Sequence, residues 1–176
     1  DVSADGEALL HGVCSWADTP VRDVTVPRVD IVGIEVTTPW SEAVDRARSS
    51  EHARLPVYEG TLDDVTGILY AKDLLPFVID DDEPMSGWQS LVRPASFIPT
   101  SKPIDAQLRD FKASRTHIAI VSDEFGGTAG LVTIEDVLEE IVGEIHDEYD
   151  DEEREVVQEA GGRLVVSGRP TLDARS

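Results

Sequence analysis

The string GLVTIEDVL at residues 130–138 decides the fold, because it occurs a second time, in altered form, as GILYAKDLL at residues 67–75. Both strings begin with glycine, carry aspartate at their seventh position and end in leucine. Self-similarity of this kind indicates that one folding unit is present more than once. The chain is therefore predicted to contain two copies of one unit, and each copy ends at one of these strings.

The residues within each copy follow the order strand, helix, strand, strand, helix. In the second copy, Pro103 precedes the apolar residues Ile104, Leu108 and Phe111, which fall at helical spacing. Residues 117–121 form a short β-branched run that is typical of a strand, and a turn-rich segment separates it from the next strand. The first copy has the same order, so the sequence predicts a mixed α/β (α+β) fold of two β-α-β-β-α repeats.

The composition is that of a folded and strongly acidic chain. Its 176 residues include 36 Asp and Glu against 15 Lys and Arg, which gives a formal net charge of -21, and 40% are hydrophobic. Because each contact with a phosphate needs a Lys or Arg, this charge argues against nucleic acid or an anionic lipid surface as a partner. An anionic ligand would need local cations or a bound metal.

Cysteine content and apolar runs narrow the class of protein further. Cys14 is the only cysteine, which excludes an intramolecular disulfide framework and a Cys-rich zinc site. No run approaches the ~18 apolar residues of a membrane span, so we expect this polypeptide itself to be soluble. It begins at Asp1 without Met and stops just after a strand-like run, so we also expect it to be a piece of a larger protein.

Two tandem units that end in G-[IL]-[LV]-x-x-x-D-[LV]-L resemble a pair of CBS domains, the cystathionine-β-synthase-type repeats that form nucleotide-binding modules. More narrowly, four segments resemble the CorC/HlyC family of magnesium and cobalt transport proteins. These segments are residues 21–35, 52–75, 115–150 and 162–173, and the longest contains the ordered string EFGGTAGLVTIEDVLEEIVGEI.

The resemblance implies a domain organisation in which the two repeats associate with pseudo-twofold symmetry. It implies a homodimer at the cytoplasmic face of the cell membrane, covalently attached to a membrane domain of the parent protein. The implied segments are a helical linker from that missing domain (1–17), CBS repeat 1 (18–79), an acidic connector (80–88), CBS repeat 2 (89–147), and an acidic linker with the truncated start of a C-terminal CorC/HlyC-type domain (148–176).

The implied function is non-catalytic. The resemblance suggests a regulatory module that binds ATP, or another adenine nucleotide, with Mg2+ held mainly through the phosphates, and that controls Mg2+ and Co2+ transport by the membrane domain. A nucleotide-independent dimerisation scaffold and a direct Mg2+ sensor are the alternatives. An enzyme that hydrolyses nucleotide is disfavoured, because the sequence has neither a recognisable general base nor a phosphate-binding loop.

Thr133 and Asp136 form a box in which a hydroxyl precedes a carboxylate by three residues at a strand-to-helix junction. This arrangement is an ordinary helix cap, worth about 1 kcal/mol without any ligand. In a CBS pair the same carboxylate is suited to accept hydrogen bonds from ribose hydroxyls, and a hydroxyl beside a helix N-terminus is suited to meet phosphate. Both roles are compatible.

The rest of the predicted nucleotide site comes from the first repeat, because the two repeats of a CBS pair face each other. The adenine slot would be walled by Thr25, Val26, Pro27, Leu55 and Pro56. Arg54 is the predicted phosphate contact, followed by Arg28 and Arg115, and for each of these the alternative is an ion pair at the surface. Further candidates are Tyr70, Asp73 and Ile118.

The first repeat carries Tyr70 and Asp73 at the positions of Thr133 and Asp136. It keeps the carboxylate but replaces a small hydroxyl with a bulky phenol, so the two sites should not be equivalent. We therefore expect a single occupied nucleotide site at Thr133 and Asp136. Asp73 would then be empty of ligand or would serve as a helix first-turn acid.

Overall fold

The computed structural model describes residues 18–143. The predicted helical linker at 1–17, the end of the second repeat and the predicted C-terminal segment at 148–176 lie outside the described residues. The chain divides into two compact units, Asp1–Glu140 and Ile141–Ser176. All described residues except 141–143 belong to the first unit.

Each repeat contains a short strand, a helix, a hairpin and a second helix, and a lead-in strand precedes the first repeat. The lead-in strand is β1 (Val26–Pro27). The first repeat consists of β2 (Ile34–Glu35), α1 (Trp40–Ser50), β3 (Arg54–Tyr58), β4 (Val65–Tyr70) and α2 (Ala71–Ile79). The second consists of β5 (Phe97–Pro99), α3 (Ile104–Ser114), β6 (Ile118–Ser122), β7 (Thr128–Thr133) and a helix, α4, described over residues 134–143. The predicted mixed α+β fold of two β-α-β-β-α repeats is confirmed.

The first helix of each repeat starts and stops with the same chemistry. Pro39 and Pro103 precede α1 and α3, with φ of -60 and -64 that suit the entry to a helix. Both helices end at a residue in the left-handed region, Glu51 and Arg115. In each repeat this left-handed residue ends the helix and turns the chain towards the following strand, β3 or β6.

The lead-in of each repeat pairs with the last strand of the other. The two sheets have the orders β1-β7-β6-β5 and β2-β3-β4. In the first sheet Val26 lies antiparallel to Leu131. In the second, Arg93 forms an antiparallel bridge with Ile68, and each backbone N–H donates to the other's carbonyl at 2.8 Å. The two repeats therefore hold each other reciprocally, as expected for pseudo-twofold symmetry.

This exchange explains why both repeated strings begin with glycine. A Cβ on Gly130 would lie 2.1 Å from the carbonyl oxygen of Val26, and a Cβ on Gly67 would lie 2.5 Å from that of Arg93. Neither distance is possible for a side-chain carbon, so each crossing strand requires a residue without one.

The core spans both repeats. One buried cluster belongs to the first repeat and includes Trp88, whose indole N–H donates to the carbonyl of Thr38 at 2.7 Å. The residue at the end of the predicted acidic connector is thus packed in the core, whereas residues 80–83 are exposed. A second cluster joins the repeats, and its buried members are Ile68, Ile118, Ile120 and Leu131.

Candidate functional site

A cleft of about 330 Å³ lies beside this shared core, between the lead-in of the first repeat and the start of α4. Its wall is apolar where strands of both repeats meet, at Val26, Ile31, Val32, Pro56, Ile118 and Leu131. Its polar side is formed by Asp30, Glu51, His52, Arg54, Thr133, Glu135 and Asp136. We call this the adenine cleft, after the base that the sequence analysis predicts to lie against such an apolar wall.

Six of the predicted site residues line the adenine cleft. They are Val26, Arg54, Pro56, Ile118, Thr133 and Asp136. The structure thus brings together residues from both repeats that are widely separated in the sequence.

Thr133 and Asp136 form a helix cap at the edge of the cleft. The Thr133 hydroxyl donates to Oδ2 of Asp136 at 2.8 Å, and the backbone N–H of Asp136 donates to the Thr133 hydroxyl oxygen at 3.3 Å. The cap fixes the orientation of the carboxylate, because it ties one carboxylate oxygen to the preceding strand. Both residues also line the cleft, so the capping geometry and a position suited to ligand contact coexist.

Arg54, the predicted phosphate contact, bridges the repeats. Its Nη1 and Nη2 donate to the Glu135 carboxylate at 3.3 Å, and its Nη2 donates to Nδ1 of His117 at 2.9 Å. The arginine side chain is only 15% exposed. The predicted alternative of an ion pair is therefore present, and its partners come from the second repeat. No local signal links Arg54 to residues so distant in sequence.

The Glu135 carboxyl is shifted towards its charged form. Partial burial raises its pKa, but the hydrogen bond from its own backbone N–H and the nearby Arg54 guanidinium lower it more. The net pKa lies below the ordinary value for glutamate. Glu135 is thus a fixed negative charge on the polar side of the adenine cleft, and the sequence analysis did not select it.

Three predicted residues of the adenine slot lie outside the lining of the cleft. Thr25 donates its hydroxyl to the carbonyl of Val21 at 2.6 Å, and Leu55 is fully buried in the core of the first repeat. Pro27 lies opposite Gly130 in the β1–β7 pair. These residues support the strands that carry Val26 and Pro56.

The two further arginine candidates also lie elsewhere. Arg28 is ion-paired with Asp63, whose carboxylate also accepts from the backbone N–H of Thr128 at 3.0 Å. The Arg28 hydrogen bond lowers the pKa of Asp63, so this clamp between the repeats is charged. Arg115 forms the left-handed end of α3 and does not line the adenine cleft.

The first repeat's counterpart of the Thr133–Asp136 site is occupied by a side chain of the protein. Arg93 donates from Nε and Nη2 to the two carboxylate oxygens of Asp73 at 2.9 and 2.8 Å. Its guanidinium carbon lies 4.2 Å from the centroid of the Tyr70 ring. Bidentate pairing together with stacking is a geometry that arginine adopts well. Asp73 is thus already neutralised within the fold.

A second cleft, of about 390 Å³, lies next to this ion pair. It is lined by Ala53, Arg54, Tyr70, Ala71, Lys72, Leu75 and His117, and it shares Ala53 and Arg54 with the adenine cleft. We call it the basic cleft, because Arg54 and Lys72 are its charged residues. The two clefts are therefore neighbours that meet at Arg54.

Residues 18–143 lack a preformed metal site and a membrane-spanning helix. These residues contain no cluster of three or more His, Cys, Asp or Glu side chains arranged to hold a metal ion. None of the helices within this range is both long enough and apolar enough to cross a membrane.

The sequence matches the CBS domain family at residues 21–82 and again at residues 91–143. Among curated proteins, it is 45% identical to the magnesium and cobalt efflux protein CorC of Escherichia coli, over 86% of this chain and 52% of that protein. It is 43% identical to a UPF0053 protein of Mycobacterium tuberculosis, over 98% of this chain and 40% of that protein. The chain thus spans about half the length of these relatives, or less.

Solved structures of similar sequence have the same fold. One is the CBS domain of the bacterial CNNM/CorC family Mg2+ transporter in complex with ATP, with a TM-score of 0.72 and 39% identity over 79% of this chain and 98% of that one. Another is a CBS-domain pair with bound AMP from Klebsiella pneumoniae, with a TM-score of 0.64 and 33% identity over 70% of this chain and 98% of that one.

Proposed function

The chain belongs to the CBS-domain family, as a tandem pair homologous to the magnesium and cobalt efflux protein CorC, and from this premise we propose that it is a regulatory module that binds ATP or another adenine nucleotide. The nucleotide would lie in the adenine cleft, and its binding would control Mg2+ and Co2+ transport by a covalently attached membrane domain. This role is non-catalytic.

The observation that carries this proposal is the meeting of an apolar wall and an oriented carboxylate in one cleft. Ile118 and Leu131 offer a surface for a base, and Asp136 offers a charged acceptor for ribose hydroxyls. Arg54 lines the polar side of the same cleft and is the candidate contact for the phosphates of such a nucleotide. The bound ATP and AMP of the solved relatives support an adenine nucleotide as the ligand.

The ion pair in the first repeat supports a single nucleotide per chain. Arg93 engages both carboxylate oxygens of Asp73, so that carboxylate has little capacity left for a ribose. At the Thr133–Asp136 site, Val26 takes the place that Arg93 has at the Asp73 site. Arg93 pairs with Ile68 and Val26 pairs with Leu131, and each of these partners directly follows the glycine of its repeated string. Valine leaves Asp136 accessible to a ligand.

Regulation would operate through a homodimer at the cytoplasmic face of the membrane. Helices α2 and α4 expose apolar side chains at Leu75, Val78, Ile79 and Leu138. Exposed apolar residues on adjacent turns are typical of an interaction surface. A nucleotide that binds one dimer arrangement more tightly than another would shift the population, and the attached membrane domain would respond to that shift.

Isothermal titration calorimetry on the 176-residue chain tests the proposal. With ATP and Mg2+, we expect Asp136→Asn to weaken binding about tenfold or more, because a charged acceptor of the ribose is lost. Asparagine keeps an oxygen for the Thr133 hydroxyl, so the helix cap should persist. Asp45→Asn is the matched control, because Asp45 is an exposed residue of α1 that lines neither cleft, and it should leave the affinity for ATP unchanged.

The titration also separates this function from its alternatives. Absence of ATP binding, or equal binding by wild type and Asp136→Asn, would exclude the proposed site. A melting temperature that rises with Mg2+ alone, without nucleotide binding, would instead support a direct Mg2+ sensor. Dimerisation that neither ATP nor Mg2+ changes would support a dimerisation scaffold.

A further inference from the structure

The lead-in of the first repeat lies across the second repeat as a strap, which we define as residues 19–27. The backbone N–H of Val21 donates to the carbonyl of Lys102 at 2.8 Å, and the side chain of Val21 is fully buried. At the other end of the strap, Val26 lies opposite Leu131 and lines the adenine cleft. The strap therefore links the adenine cleft to the part of the chain that precedes the strap in sequence.

An equivalent segment leads into the second repeat and lies across the first. Trp88 precedes Arg93 by five residues, as Val21 precedes Val26, and Arg93 and Val26 each lie opposite the residue that follows a repeated glycine. The two segments differ in their anchors. Trp88 is 1% exposed, and its indole N–H donates to the carbonyl of Thr38 at 2.7 Å. Val21 holds the equivalent position with a smaller side chain that has no hydrogen-bonding group.

The two segments also differ in how they are tied to the helix at the end of the crossed repeat. Arg93 donates to both carboxylate oxygens of Asp73 in the first turn of α2. The hydrogen bond to Asp73 raises the pKa of Arg93, so its guanidinium stays charged. Val26 is a hydrocarbon side chain and cannot make such a bond to Asp136, the equivalent carboxylate. A side chain of the protein thus ties the second segment to α2, and the strap lacks that tie to α4.

We propose that the nucleotide supplies the missing tie, so that the strap is held across the second repeat only when the adenine cleft is occupied. A ligand in contact with both Val26 and Asp136 joins the strap to α4, as Arg93 joins its segment to α2. The inference rests on the proposed function and names the element that passes nucleotide binding on. Without nucleotide, local opening of the strap loosens the connection between the second repeat and an attached membrane domain.

Amide hydrogen exchange on the 176-residue chain, followed by NMR, tests the proposal at single residues. The N–H of Val21 donates to the second repeat, and the N–H of Arg93 donates to Ile68 in the first, so the two report equivalent segments. Without ligand, we expect a protection factor at least about tenfold lower at Val21 than at Arg93. ATP with Mg2+ should reduce that difference to less than about threefold. Comparison within one sample removes the effect of ligand on overall stability.

Val26→Arg provides a test that needs no nucleotide. It gives the strap the side chain that Arg93 gives the other segment, opposite the carboxylate of Asp136. We expect the variant to raise the protection factor of Val21 about tenfold without ligand and to abolish ATP binding, because arginine would engage that carboxylate. Val29→Arg is the matched control, since Val29 is 89% exposed and lines neither cleft. It should change neither quantity by more than about twofold.

The reverse change is Arg93→Val, which removes the tie of the second segment. It should lower the protection factor of Ile68, whose N–H donates to the carbonyl of residue 93 at 2.8 Å. Equal protection of Val21 and Arg93 in the unliganded wild type overturns the inference and leaves the proposed function intact. So does a difference that ATP leaves unchanged although it binds, or a folded Val26→Arg chain whose Val21 is no better protected. A chain that binds no ATP overturns the proposed function and the inference with it.

Discussion

Glu135 and Lys72 occupy equivalent positions in the two repeats, and their opposite charges make the two clefts differ. Glu135 lines the adenine cleft and accepts from Arg54 at 3.3 Å, and Arg54 lines both clefts. A phosphate that approaches Arg54 must therefore compete with a carboxylate already in place. Glu135 therefore competes with the phosphates of a ligand for Arg54.

Glu135→Gln should consequently increase the affinity for ATP. The substitution removes a negative charge beside the phosphate path and releases Arg54, while glutamine preserves the length of the side chain. We expect a gain of about threefold to tenfold, since a charge at this partly exposed position is worth about 1 kcal/mol. Calorimetric titration with ATP and Mg2+ measures the change.

The matched control for Glu135→Gln is Glu139→Gln. Glu139 is an exposed residue of the same helix that lines neither cleft, so the change in net charge is identical. We expect Glu139→Gln to leave the affinity within about twofold of wild type. A gain of the same size in both variants would attribute the effect to overall charge rather than to Arg54.

At the scale of elements, periodicity and turn residues predicted the helices and hairpins but not the exchange of lead-in segments. Pro39 and Pro103 precede α1 and α3, as the apolar spacing indicates. Strand β1 has only two residues, which is too short for any periodic signal, and its partner β7 is far away in the sequence. Long-range pairing of so short a strand is decided by tertiary packing.

The candidate site likewise has local contacts that the sequence predicts and long-range contacts that it does not. The Thr133–Asp136 box was predictable, because capping is a local interaction between residues three apart. The bonds that Arg54 makes with Glu135 and His117, and that Arg93 makes with Asp73, depend on how the repeats face each other. The repeat alone predicted that the two sites differ, but not that an arginine neutralises one of them.

Gly130→Ala should destabilise the junction between β1 and β7. The added Cβ would lie 2.1 Å from the Val26 carbonyl oxygen and 2.4 Å from Cγ2 of Thr25, so β1 must move. We expect a loss of about 1–3 kcal/mol in the free energy of unfolding, as for other overpacked positions. Urea denaturation monitored by circular dichroism measures it. Weaker nucleotide binding should accompany the loss, because Val26 lines the adenine cleft.

Gly143→Ala is the control for added volume. A Cβ at Gly143 would meet no atom of residues 18–143 within 4 Å, and alanine favours the helical conformation, so we expect equal or slightly greater stability. If Gly130→Ala unfolded at the same urea concentration as wild type, the close approach of β1 to Gly130 would not limit the fold. Gly67→Ala should resemble Gly130→Ala in stability, because Arg93 crosses it in the same manner.

For the whole molecule, the net charge of -21 opposes the binding of any anion. The adenine cleft repeats this imbalance locally, since its lining has four carboxylates against the guanidinium of Arg54. Residues 18–143 provide no cluster of side chains that could hold a metal ion without a ligand. Mg2+ needs only one or two carboxylates when phosphate oxygens supply its other ligands. Nucleotide and metal should therefore bind together, each reducing the charge that excludes the other.

The affinity for ATP should depend strongly on Mg2+, and the affinity for AMP should depend on it much less. We expect the Kd for ATP to rise about tenfold or more when EDTA replaces Mg2+, which corresponds to at least about 1.4 kcal/mol. Higher ionic strength should narrow this difference, because salt screens the acidic surface that Mg2+ otherwise offsets. Calorimetric titrations measure the Kd for ATP and for AMP, with Mg2+ and with EDTA, at low and at high salt. Equal affinity for ATP with and without Mg2+ would mean that Arg54 suffices for the phosphates and that the acidity of the chain has no part in binding.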